Sequence, residues 1–217
     1  MSYNRSFSIE EPFSHPFHVD DPAMEKPLAS RLFEKIQFIS LHREIVIICI
    51  GTDRSTGDAF GPLTGTMLSE NSPMSFVVYG TLQQPVHALN LQETLDHVLD
   101  NYRHPFLIAI DASMGKSYNV GKITLASGPV RPGSAVKKTL PDIGHMHMTG
   151  TVNVGGMMEY FVLQNTRLNL VMKMAERTSN AILRADRRLS HPPSLTPTRR
   201  RHMIQSSAHE MSAPAKE

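Results

Sequence analysis

The stretch EIVIICI, Glu44 to Ile50, restricts the fold more than any other part of the chain. It is nearly continuous in β-branched residues and lacks the polar alternation that would let one face meet water. A strand of that kind has to be covered on both sides. MSFVVYG (Met74 to Gly80) and FLIAID (Phe106 to Asp111) repeat the signature. Helical patterns separate the strands, one from about Asp58 to Ser69 and one from about Asn90 to Tyr102. In the second, Leu91, Leu95, Val98 and Leu99 form an apolar stripe. Buried strands alternating with helices predict a three-layer α/β/α fold around a largely parallel or mixed central sheet.

Two more extended stretches, VGKITLAS and MHMTGTVNV, come later in the chain. The longest helical pattern runs from Gly156 to Ala185. Met158, Phe161, Val162, Leu168, Val171, Met172 and Ala175 fall near one of its faces, with the methionines read as core filler. A length of 217 residues suits one domain with tails. Residues 1–28 are polar and carry Pro12, Pro16, Pro22 and Pro27, which predicts a mobile tail anchored locally through Phe13 and Phe17. Residues 29–185 form the expected α/β domain, and 186–217, rich in proline, serine and arginine, the expected disordered tail.

The remaining totals narrow the function. A formal charge of +2 without a basic stripe argues against direct nucleic-acid binding, and Arg199 to Arg201 read as part of a solvated tail. One cysteine, Cys49, excludes an internal disulfide and a cysteine-based zinc site. No apolar run approaches the roughly 20 residues that span a bilayer, and the first residues lack a secretory pattern. The expectation is a cytoplasmic protein with no membrane contact.

In parallel α/β sheets, ligands gather where loops leave the carboxyl ends of the strands. Two such ends carry acids: GTDRSTGDAFGP with Asp53 and Asp58, and IAIDASMGK with Asp111. Neighbouring strands would set Asp58 and Asp111 face to face. Facing carboxylates can share one proton and act as general base and general acid, or can hold a divalent metal. The plainer role is to accept backbone N–H groups in a turn or helix cap, which is favoured for Asp53 and open for Asp58. Asp53, Arg54, Ser55, Thr56 and Gly57 in the loop, with His145 and His147 from GHMHMTG, are the candidate binding groups. Asp58, Asp111 and His147 are the candidate metal ligands. The loop lacks the glycine–lysine–Ser/Thr ending of a P-loop and the G-x-G-x-x-G spacing of dinucleotide folds. His87 reads as a helix-start or surface residue.

The motifs CIGTDRSTGDAFGPLTG, VYGTLQQPVHALNL, AIDASMG and VNVGGMMEYFVLQNTRLNLVMKMA resemble the YyaC family of sporulation proteins, from about Glu44 to Ala185. That family is related to the spore germination protease and, more distantly, to the hydrogenase maturation proteases. The resemblance implies their three-layer α/β/α fold. It also implies a peptidase whose catalytic aspartates lie in a D-x-x-G-P and an I-D-A motif, here Asp58 and Asp111. In the maturation proteases an acid, an aspartate and a histidine bind a metal. Asp58 and Asp111 match the first two, while His145 and His147 follow in the right order without a motif to choose between them. The chain departs from both relatives in carrying GTD where they have a glycine–asparagine pair. The expected function is a sporulation-associated peptidase of the germination-protease type. It would cut a protein or peptide substrate, a spore protein among the candidates, in the cytoplasm of the mother cell or forespore. The alternative is a non-catalytic sporulation scaffold, or a peptide- or ion-binding protein, that kept the fold. A homo-oligomer is compatible with either.

Overall fold

The computed structural model describes residues 11–132, 141–156 and 158–191. Strand β2 (Ile45–Cys49) is buried at every position, and its side chains alternate between two cores. Ile45, Ile47 and Cys49 enter a large core supplied by α1 (Glu25–Ile36), α2 (Phe60–Glu70) and α5 (Leu168–Ser190). Val46 and Ile48 enter a smaller core supplied by Leu91, Leu95 and Val98 of α3 (Leu91–Asn101). The doubly buried strand thus obtains the helix layer on each side that its composition demands.

The sheet has six strands in the order β1-β5-β6-β4-β2-β3. β3 (Phe76–Tyr79), β2, β4 (Phe106–Gly115) and β6 (Met146–Val154) run parallel. β5 (Lys122–Ser127) pairs antiparallel with β6, and β1 (Ser14–His18) antiparallel with β5. The architecture is therefore α/β/α with a mixed sheet. α3 covers only the β3–β2–β4 half of its face. Over β6 buried and half-buried residues alternate, which marks a strand covered on one side.

The topology fixes where a site can form. From β2 the chain crosses through α2 to β3 at the sheet edge, then returns through α3 to β4 on the other side of β2. Strand order reverses between β2 and β4, whose carboxyl ends lie side by side. Such a switch point opens a crevice. α2 approaches this end of the sheet unusually closely. A Cβ on Gly61 would lie 2.1 Å from the carbonyl oxygen of Ile50, and one on Gly65 would lie 2.0 Å from that of Gly80. Only glycine permits that contact.

Three expectations need correction. Residues 14–18 are not tail but the edge strand β1, whose Phe13 and Phe17 flank pack on the large core. Residues 25–28 already belong to α1. The prolines that suggested disorder sit where proline costs little: Pro16 in an edge strand and Pro27 in the first turn of a helix. At the other end α5 continues to Ser190, beyond the expected boundary at 185. Residues 1–10 and 192–217 of the expected tails lie outside the described residues.

The single helix expected from Gly156 to Ala185 is instead α4 (Glu159–Gln164) followed by α5. Asn165 Nδ2 and Thr166 Oγ1 donate to the carbonyls of Phe161 and Val162, competing with the helical ladder where it stops. The expected stripe divides accordingly: Val171 and Ala175 are buried, whereas Met158, Phe161, Leu168 and Met172 are exposed. No helix among the described residues is long and apolar enough to cross a membrane.

Asp186, buried near the end of α5, accepts the backbone N–H groups of Met74 (3.1 Å) and Ser75 (2.7 Å) as the chain approaches β3. Asp186→Ala leaves both donors without that acceptor. It should lower stability by about 1–3 kcal/mol, seen as a reduced urea midpoint at unchanged slope.

Candidate active site

A cavity of about 550 Å³ occupies the switch point, and both Asp58 and Asp111 lie on its wall. Asp58 comes from the loop after β2. Ile50 N–H donates to Ile110 O (2.7 Å) and Gly51 N–H to Val86 O (2.8 Å), which carries the sheet one step past β2. The loop then doubles back so that Thr52 N–H meets Asp58 O at 3.3 Å. A Cβ on Gly51 would lie 2.0 Å from that same oxygen, and Gly51 holds φ +145°, so the return requires glycine.

Asp58 lies in a 3-10 turn, Gly57–Ala59, ahead of α2. The N-cap of α2 is Ala59, and neither that cap nor the turn's cap, Thr56, carries a side-chain hydrogen bond. The Asp58 carboxylate is therefore not engaged as a helix cap. The turn expected of Asp53 falls to Thr52, whose Oγ1 accepts the N–H of Arg54 at 3.2 Å. Asp53 is exposed at the cavity rim, with Thr52 Oγ1 at 3.5 Å.

Asp111 comes from β4, six residues into the strand, where burial gives way to partial exposure. Leu107 and Ala109 belong to the α3-side core, and alternation puts Asp111 on that same face. Burial pushes its carboxyl up to about 8, the charge of Asp58 pushes the same way, and a hydrogen bond from the backbone of Ala112 partly offsets them. Burial also raises Asp58 above the ordinary carboxylate value. A buried carboxyl that also feels the charge of a second carboxyl does not ionise cheaply, so the pair retains a proton near neutrality.

The other candidate residues divide. Arg54 and Ser55 line the cavity with Asp53, whereas Thr56 and Gly57 do not. Gly57 lies beneath α4, where a Cβ would come within 2.6 Å of Leu163 Cδ2. The Oγ of Ser55 is buried without a hydrogen-bond partner among the described residues.

Neither histidine reaches the pair. His145 lies at the opposite end of the strands, stacked on Phe106 at 4.9 Å, with its Nδ1 accepting the N–H of Leu107. Burial and the neighbouring Arg43 push it down to about 4, which keeps the ring neutral. His147 is in register with Ala109, two positions behind Asp111, and its Nδ1 meets Gly128 O at 2.9 Å. The register partner of Asp111 is Thr149, which does line the cavity. Among the described residues no three His, Cys, Asp or Glu side chains converge as a metal site would require. The expected set of Asp58, Asp111 and His147 is not assembled, so the donors do not fit a protein-held metal.

Sequence reasoning missed Thr149, Ser113, Arg131, Leu89, Glu159 and Tyr160, all of which line the cavity. For Thr149 a signal existed: it stands two residues after His147, and therefore on the same face of MHMTGTVNV. His87, read as a helix-start or surface residue, lines the cavity too and uses Nδ1 to accept Leu89 N–H at 3.3 Å.

The raised Asp111 carboxyl has a consequence for stability. The folded state holds a proton that the unfolded chain releases near the ordinary value of 3.8, and loses it only near 8. Stability therefore falls as pH rises through that window. Asparagine has no such proton. Asp111→Asn should melt above the parent near pH 8, and the difference should vanish toward pH 3.8, as followed by thermal melts across the window.

Comparison with known proteins places the chain. It is 42% identical over 194 residues to the protein described as "Uncharacterized protein YyaC" of Bacillus subtilis (strain 168), across 89% of this chain and 94% of that one. Among solved structures, the NiFe hydrogenase maturation protease HycI from Thermococcus kodakarensis KOD1 aligns over 70% of this chain and 98% of its own, at 16% identity and a TM-score of 0.48. The family model described as "Protein of unknown function (DUF1256)" matches residues 16–181, and the chain belongs to that family.

Proposed function

We propose that the chain is a peptidase in which Asp58 and Asp111 share one proton and activate water. The observation that carries this reading is the electrostatic coupling of the two carboxyls on one cavity wall at the switch point. Near neutral pH, Asp111 holds the proton and Asp58 is the charged partner. Asp58 takes a proton from a water as its oxygen attacks the scissile carbonyl carbon, and Asp111 donates its proton to the carbonyl oxygen. Collapse of the tetrahedral intermediate breaks the C–N bond. The proton on Asp58 passes to the leaving amine, and the hydroxyl proton returns to Asp111. Both acids end as they began.

The scaffold alternative needs Asp58 and Asp111 to have structural work. Asp58 caps no helix, and burial opposes the ionised form of Asp111. Sites that weaken the fold in this way are more often retained for chemistry than for support. The resemblance to the YyaC family supports a role in sporulation, with a spore protein as substrate in the cytoplasm of the mother cell or forespore.

Asp58→Asn and Asp111→Asn should each lower kcat/KM by roughly a hundredfold to ten-thousandfold on a fluorogenic peptide library, with the fold kept. Activity should decline as pH rises past about 8, where Asp111 gives up its proton. Parent-like turnover in both variants would sink the dyad. Because the His147 ring is engaged with Gly128 and stands off the cavity, His147→Ala should leave cleavage and bound-metal content essentially unchanged.

A further inference from the structure

Helix α4 is an exposed apolar element at the mouth of the cavity. Of the twelve large apolar side chains exposed among the described residues, six lie between positions 154 and 172: Val154, Met158, Tyr160, Phe161, Leu168 and Met172. Three of them, Met158, Tyr160 and Phe161, lie in α4 or at its N-cap, where exposed apolar groups gathered in one short element suit a contact surface. Tyr160 and Phe161 are 63% and 56% exposed, and their rings meet edge to face at 6.1 Å.

The patch runs into the site. Tyr160 and Glu159 line the cavity from α4, as does Leu163, the only buried residue of that helix. Leu163 presses on Gly57, the residue before Asp58. Leu89, 79% exposed, and Met114 line the same cavity. The formal charges at the rim offset one another: Arg54 and Arg131 oppose Asp53 and Glu159, and Arg131 is already paired with Asp142 at 3.0 Å. Selection by net charge is weak there, whereas the apolar groups face no opposing feature.

We infer that α4 and Leu89 form the docking surface for the substrate, an extended polypeptide segment that places a bulky aromatic or aliphatic side chain beside the bond held at Asp58 and Asp111. This rests on the peptidase reading for the bond that is cut, but not for the docking itself. A second copy of the chain seated on Tyr160 would cover the mouth of the cavity that the same residue lines. The occupant is therefore one that can enter: a strand of polypeptide with its apolar side chains out of any core. Its Leu, Phe or Tyr side chain would lie against Tyr160, Leu89 and Met114, while the backbone crosses the two acids.

The test uses full-length Asp111→Asn protein, so that the probe survives, and two fluorescein-labelled extended peptides. One alternates Leu and Phe with polar residues, and the other carries Ser in place of each Leu and Phe. Fluorescence anisotropy should show binding of the first peptide only. Adding Leu89→Ser and Tyr160→Ser should weaken it by about tenfold or more, the loss expected of central apolar anchors. Circular dichroism and melting should not change, because both side chains are exposed. Equal binding of the two peptides, or no response to the added substitutions, overturns the inference. So does a concentration-dependent dimer in sedimentation velocity that the substitutions dissolve, since a second copy would then own the surface. Selective binding with no cleavage by the unsubstituted protein would sustain the docking surface and remove the peptidase. Cleavage of both peptides alike would do the reverse.

Discussion

Because β2 buries both faces, the chain cannot run as a simple meander and must supply helices above and below it. It does so by crossing outward through α2 on one side and returning through α3 on the other. The reversal leaves β2 and β4 adjacent and parallel, with their carboxyl ends side by side. The cavity is a geometric by-product of that double covering. Asp111 sits on it as the first polar residue of β4, and Asp58 because the loop after β2 doubles back to bring it there.

The close approach of α2 makes the cavity small enough to matter. Gly61 lets the helix rest on the carbonyl of Ile50, and Gly51 lets the loop return until Thr52 meets Asp58. With a bulkier residue at either position, the Asp58 loop would stand further from β4 and the two carboxyls would be solvated separately. Close packing of backbone on backbone thereby becomes an electrostatic effect, since charge–charge coupling grows as water is excluded from between the acids.

Much of this was legible from the residues. The unbroken apolar run of β2 implies the layers, and polarity at the strand ends marks Asp58 and Asp111 independently of any relative. What stayed hidden depended on register and on tertiary partners. His147 and Thr149 are indistinguishable by spacing, and only the pairing of β6 with β4 sets Thr149 beside Asp111. β1 looked like tail because its prolines disqualify a central strand but are tolerated at an edge, and edge status is a property of the whole sheet. The helical pattern of residues 156–185 keeps its apolar period in the sequence across a break made by Asn165 and Thr166 side chains, which periodicity does not register.

The assignment of the first turn to Thr52 also separates shape from recognition in that loop. Its path is set by backbone contacts at Gly51 and by the Thr52 hydroxyl. Asp53 and Arg54 project from the same loop onto the rim. Substitutions at those two positions can therefore alter what the rim meets without moving Asp58. The rim of the cavity can therefore change in charge and shape while the backbone that carries Asp58 keeps its path.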